Sequence, residues 1–189
     1  MINLILQYFK VKRSKSDKDY ELLCKRQEEY TYCLKKNLEY KFIEKIHLLI
    51  ENNEDIDELK KNINIANEKL VIFRLNKRMY YKDAFEYANK FLNEKIVIVL
   101  HTDIYLLSGF DKIKLKHLNN KLYALARTNN IDGKNTGRGI RVITIDNNKY
   151  CSTFDGWCFK TPLPIGLINS VNQQQNVWGS ENRLIYFFK

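Results

Sequence analysis

Several common signals are missing from this sequence, and each absence narrows what the chain can be. No run approaches the roughly 18 apolar residues of a membrane-spanning helix. The N-terminus, "MINLILQYFKVKR", puts its apolar part before its positive charge, and no small-residue cleavage site follows. That is the reverse of a secretory signal, so the protein reads as cytosolic. The four cysteines, Cys24, Cys33, Cys151 and Cys158, form no CxxC pair. Spacings of nine and seven fit no common zinc pattern, and structural thiols in a reducing compartment are expected. No internal repeat is visible. Neither an RNP-type nor a helix-turn-helix signature appears, which argues against nucleic acid as the partner. Both prolines lie in one late stretch, "TPLPIGLINSVNQQQNVWGSE", which reads as mostly loop.

What is present is an ordinary globular composition with an excess of positive charge. Hydrophobic residues make up 44% of the 189 and aromatic residues 13%, enough for one domain with a real core. Lysine and arginine number 32 against 22 acidic residues, a net charge of +10. Such a balance attracts anions: nucleic acid, an anionic membrane surface or phosphorylated small molecules.

Along the chain, short apolar runs alternate with helical patterns. "INLILQYF" suits a buried strand. From Tyr20 to about Tyr40, Leu23, Tyr30, Cys33, Leu34 and Leu38 share one stripe of a helix. "FIEKIHLLIE" reads as a strand, "DIDELKKNI" as a short surface helix and "EKLVIFRL" as a third strand. Tyr81, Ala84, Phe85, Ala88, Phe91 and Leu92 mark the clearest helix, which leads into the strand "EKIVIVLHTD". A short helical stretch around Phe110 to Leu118 and the strand "KLYALAR" follow. This alternation predicts an α/β fold of parallel βαβ units with both sheet faces covered. After Arg127 the texture becomes polar and loop-rich: "IRVITIDNNKYCSTFDGWCF" reads as strand, turn, strand, and "ENRLIYFFK" begins a helix or strand. We read a single domain, with 1–127 as the regular α/β part and 128–189 as the loop-rich part.

Asp103 stands out because it follows the buried run "IVIVLHT". A carboxylate at a strand end either caps a turn or faces a cation that neutralises a ligand's phosphates. In open α/β sheets ligands bind beyond the carboxyl ends of parallel strands, where Asp103 falls. Two further acids sit beside small residues and tryptophans: Asp155 in "FDGWCF" and Glu181, with Asn182, in "WGSENRL". An acid against an aromatic wall can serve as a general base. Of the histidines, His47 falls in a strand, His117 at a helix end, and His101 reads as a packed core residue.

Taken in order, the motifs resemble a family of small glycosyltransferase-like proteins, known mainly from large DNA viruses, with the sugar-nucleotide transferase fold called GT-A. The residues that carry the resemblance are "KRQEEYTYCLKKNL" (25–38), "KIHLLIE" (45–51), Arg78 to Tyr81 in "KRMYYKDAF", "TDIYL" (102–106), "YALAR" (123–127), "STFDGWCF" (152–159) and "GSEN" (179–182). The resemblance spans nearly the whole chain. It implies a GT-A-like, Rossmann-related central sheet, mostly parallel and flanked by helices. It also implies transfer of a sugar from a nucleotide-diphosphate sugar to a hydroxyl of a glycan or glycoprotein acceptor, in the host cytoplasm.

By the same resemblance Asp103 would hold Mn²⁺ or Mg²⁺ against the donor's diphosphate. The usual second acid is missing, since position 101 is His and position 105 is Tyr. Arg78 would pair with a phosphate or make a plain salt bridge. Asn182 would join the donor-binding set, and Glu181 or Asp155 would be the base. "DGKNTGRGIR" (132–141) would close over the donor as a lid. Residues 1–127 would be the nucleotide-binding part and 128–189 the acceptor and catalytic part. A further strand and a metal-binding histidine are implied beyond Lys189, so the chain reads as a short form. A non-catalytic sugar-nucleotide-binding or degenerate protein on the same fold is the alternative reading.

Overall fold

A computed structural model describes residues 1–126 except 13, 15 and 17. It also describes the backbone at 130–131 and 134–135, and residues 154–188 except 176 and 178. Most of the lid stretch expected at 132–141, the strand expected at 140–146, Cys151 and Trp178 lie outside these residues.

Strand β1 (Ile2–Tyr8) is buried along its whole length, as its almost unbroken apolar run requires. Helix α1 (Tyr20–Glu39), strand β2 (Ile43–Ile50), helix α2 (Asn53–Asn62), strand β3 (Leu70–Arg74), helix α3 (Tyr81–Phe91) and strand β4 (Ile96–Leu100) follow. Two 3-10 turns at Phe110–Lys112 and Leu115–Leu118 stand where a short helix is expected. Strand β5 (Leu122–Leu125) is followed by a two-residue ladder of β6 (Asn130–Ile131) and β7 (Lys134–Asn135). Strand β8 (Gly156–Lys160), helix α4 (Ile165–Ser170) and helix α5 (Ser180–Phe187) complete the described chain.

The main sheet has six strands in the order β3-β2-β1-β4-β8-β5. Strand β1 pairs parallel with β2 and β4, and β2 pairs parallel with β3. Strand β8 lies antiparallel between β4 and β5. The protein is thus a mixed α/β fold whose six-stranded sheet, mostly parallel, is flanked by helices.

The alternation of side chains splits the core in two. Leu4, Leu6, Tyr8, Ile46, Leu48, Ile98 and Cys158 face α1 and α2, while Ile5, Leu49, Val97, Val99, Trp157 and Phe159 face α3, α4 and α5. Helices α1 and α2 carry the chain from β1 out to β3. Helix α3 brings it back across the other face to β4, on the opposite side of β1. The crevice between the carboxyl ends of β1 and β4 is therefore the topological switch point of the sheet.

Helix α2 is less superficial than its sequence suggests, because Asp55, Glu58 and Leu59 are buried. Asp55 and Asn52 form a capping box, and Asp55 Oδ1 also accepts a hydrogen bond from Lys10 N at 2.7 Å. One carboxylate thereby caps the start of a helix and fixes the loop after β1. The thiols of Cys33 and Cys158 are buried and free, and burial pushes both up to about 12. They are packing groups, not nucleophiles.

His47 on β2 is buried against α3, with Nδ1 2.9 Å from Tyr87 Oη and Nε2 3.2 Å from Asn3 Oδ1. Burial, with Lys45 nearby, lowers its pKa to about 4. The unfolded chain takes up this proton near pH 6.5, where the folded protein still refuses it. The contribution is full above pH 6.5 and is lost as the pH falls towards 4. Urea denaturation at several pH values should show the wild type losing on the order of 2 kcal/mol more over that window than a His47→Gln variant. Parallel losses in the two proteins would contradict the assignment.

Candidate functional site

The loops at the carboxyl edge are positioned by polar side chains of α1. Gln27 accepts from Val11 N at 2.7 Å and donates to Tyr8 Oη at 3.2 Å. Asn37 donates to Ile104 O and accepts from Leu106 N, each at 2.9 Å. These two buried amides hold the loops after β1 and β4 against one helix, and each has its partners.

Asp103 finds its counter-charge on the same helix. Arg26 Nη2 lies 2.8 Å from Asp103 Oδ2, while Nη1 reaches Glu29 at 2.7 Å and Nε reaches Tyr30 Oη at 3.2 Å. The Asp103 side chain is only 8% exposed, against 44% for Arg26. Burial pushes the Arg26 pKa down, but Asp103, Tyr30 and Glu29 together carry it above its ordinary value. Among the described residues no three His, Cys, Asp or Glu side chains group to hold a metal ion. A divalent cation wants six or more oxygens. Asp103 here gives its carboxylate to Arg26, so a Mn²⁺ or Mg²⁺ at this position would need that pair to open, with water and substrate phosphate completing its shell.

On the opposite face, segments far apart in sequence meet at His101. Its side chain is 8% exposed, and its Nε2 lies 3.0 Å from Tyr81 Oη and 3.4 Å from Glu181 Oε1. Its Nδ1 lies 3.8 Å from Asp155 Oδ1, and its backbone N–H donates to Asp155 O at 3.1 Å. The two acids singled out by their aromatic neighbours are therefore bridged by the histidine that reads from sequence as mere core. The signal that could have found it is its place two residues before Asp103 at the end of a buried parallel strand.

Two glycines set this geometry. Gly156 opens β8 opposite Leu100 and Leu125, and a Cβ there would meet Leu100 Cδ1 at 2.8 Å. Gly179 turns the chain with φ of 83° just ahead of α5, which puts Glu181 in that helix's first turn.

Glu181 is the more accessible acid, its side chain 18% exposed against 12% for Asp155. Burial raises its pKa, but hydrogen bonds from His101 and from a backbone N–H at the helix start outweigh this. The carboxyl is held below its usual range. Tyr81 is pushed far up by burial, with the charges of Glu181 and Asp155 adding to the effect, so it stays a neutral hydroxyl. Asn182 is exposed on α5.

Arg78 precedes α3 by three residues. Its guanidinium lies over the Phe9 ring, 4.7 Å from the centroid, and Nε is buried with no protein partner. No carboxylate pairs with it among the described residues. Further buried polar groups are not visible as such in the sequence. Gln7, fully buried on β1, finds no partner for either amide atom, and Gln173 Oε1 and Gln175 Oε1 are likewise buried and unpaired. An amide left so costs on the order of 1–3 kcal/mol.

No family model and no curated protein matches this chain. Among solved structures, HddC from Yersinia pseudotuberculosis is similar over 85% of this chain and 77% of that one, at 16% identity and a TM-score of 0.48. A 4-diphosphocytidyl-2C-methyl-D-erythritol synthase from Anaerococcus prevotii DSM 20548 is similar over 98% of this chain and 82% of that one, at 14% identity and a TM-score of 0.47. No helix among the described residues is long and apolar enough to cross a membrane.

Replacing Arg26 by Met deprives a nearly buried carboxylate of its cation. Chemical denaturation should show a loss of about 1–3 kcal/mol, with the double variant Arg26→Met/Asp103→Asn losing less than the two single changes summed. Strict additivity would mean that the pair is not coupled.

Proposed function

We propose that this chain is a GT-A-like glycosyltransferase, akin to the small viral family it resembles. It would move a sugar from a nucleotide-diphosphate sugar to an acceptor hydroxyl. One observation carries the reading. At the switch point of the sheet, a guanidinium with no carboxylate partner stands three residues from the start of α3, whose Tyr81 joins a histidine bridged to two acids.

The chemistry follows from what each group can do. Arg78, stacked and pointed by Phe9, suits a phosphate of the donor as a fixed cation. Glu181, held ionised, accepts the proton of the acceptor hydroxyl as its oxygen bonds to the anomeric carbon. The bond from that carbon to the diphosphate breaks, and its electron pair leaves on the diphosphate oxygen. His101 and Asp155 act as positioning residues that fix the Glu181 carboxylate, with Tyr81 donating or accepting on the same imidazole edge. Arg26 and Asp103 shape the other wall of the crevice. A Mn²⁺ or Mg²⁺ held at Asp103 would offset the charge of the departing diphosphate.

The depth of His101 and Asp155 favours a second reading, in which the cluster only locks α5 to the sheet and the protein binds a sugar nucleotide without turning it over. Release of nucleoside diphosphate from UDP-glucose or GDP-mannose, or of CMP from CMP-linked donors, separates the two. Turnover by the wild type should fall at least about 100-fold in Glu181→Gln, with donor affinity nearly unchanged. Binding without turnover in the wild type would favour the second reading. Equal turnover in Glu181→Gln would remove that residue from the mechanism.

A further inference from the structure

Gln7 is the least explained polar group in the protein. The register that sets Ile5 beside Val99 brings Gln7, two residues on, beside His101 and onto the same face, towards α3. A leucine there would fill much of the same space at no desolvation cost, yet the position carries an amide that no group among the described residues satisfies. The segment Gln173–Gln175 reaches the end of the neighbouring strand β4. Gln173 O accepts from Tyr81 N at 2.9 Å, Gln175 N donates to Met79 O at 3.3 Å, and Gln175 Nε2 donates to Leu100 O at 3.2 Å. Gln174 forms an isolated bridge with Tyr80. The strap thus lies on the start of α3 and on the end of β4 through a few hydrogen bonds. Its apolar anchor, Val171, is buried ahead of it, whereas Val177 behind it is exposed.

We propose that Gln7 and Gln175 form a recognition pocket beneath this strap for an uncharged ligand edge that presents a donor beside an acceptor. The inference rests on the nucleotide-sugar reading and names what this face of the site would read. An amide matches such an edge with two hydrogen bonds and rejects edges that lack either partner. Both a nucleobase and a vicinal pair of sugar hydroxyls present this chemistry. The strap covers the pocket when no ligand is held. It lifts from Met79, Tyr81 and Leu100 to admit one, and Gln175 then turns its amide to the ligand.

Calorimetric titration of the wild type, Gln7→Leu, Gln7→Glu and Gln175→Leu with UDP, CDP, GDP, UDP-glucose and GDP-mannose tests this, alongside melting temperatures without ligand. Gln7→Leu should melt at or above the wild-type temperature, yet bind the preferred compound at least roughly tenfold more weakly. A nucleobase partner predicts that the wild type separates UDP, CDP and GDP and that Gln7→Leu no longer does. A sugar partner predicts weaker UDP-glucose or GDP-mannose binding with the plain diphosphates unchanged. Either result supports the pocket. Wild-type affinity in both Gln7→Leu and Gln7→Glu would overturn it and leave Gln7 with a buried water only, while the nucleotide reading stood. Failure of the wild type to bind any of the five would overturn both.

Discussion

A polar group taken out of water must find a partner, and at the carboxyl edge of this sheet that rule is obeyed on one side only. Towards α1, the amides of Gln27 and Asn37, the carboxylate of Asp55 and the Arg26–Asp103 pair all have their bonds. They pin the loops after β1 and β4, and so fix the width of the crevice. Towards α3, Gln7, Gln173 and Gln175 keep buried atoms that no group among the described residues satisfies. One wall of the switch point is a finished piece of structure. The other retains hydrogen-bonding capacity that folding alone does not use.

This asymmetry follows from topology. Because β4 lies on the far side of β1 from β2, α3 must cross the face opposite α1, and the two sides of the crevice are built by different helices. The acid cluster is assembled on the α3 side by β8 and α5, from segments more than fifty residues beyond β4. The basic excess of the chain has a local counterpart in the Arg78 guanidinium, which no acid neutralises among the described residues.

Much of the scaffold is legible in the sequence because period and burial are local properties. The stripe from Leu23 to Leu38 gives α1 nearly to the residue, and the apolar runs give β1 to β4. The polar residues that interrupt those stripes are harder to read. Gln27 and Asn37 look like the wet edge of an amphipathic helix and prove to be buried. Asp103 was visible as a carboxylate in need of a partner, but its partner sits 77 residues earlier on α1. Position alone could not show that a guanidinium reaches it. His101 looked like core and is core by burial, yet its contacts with Asp155 and Glu181 exist only once β8 and α5 have docked. Asp155 and Glu181 were found because each stands next to a small residue and a tryptophan, a local signal. That they converge is a tertiary fact.

The central claim is that the α3 side of the switch point, and not the Arg26–Asp103 side, receives the ligand. The most direct measurement is an amide chemical-shift titration of isotope-labelled protein with UDP, GDP and CDP. The account predicts that one of them shifts the amides of Gln7, Tyr81 and Gln175 while those of Arg26 and Glu29 stay in place. Shifts confined to α1 and the loop around Asp103, or none with any of the three, would contradict it.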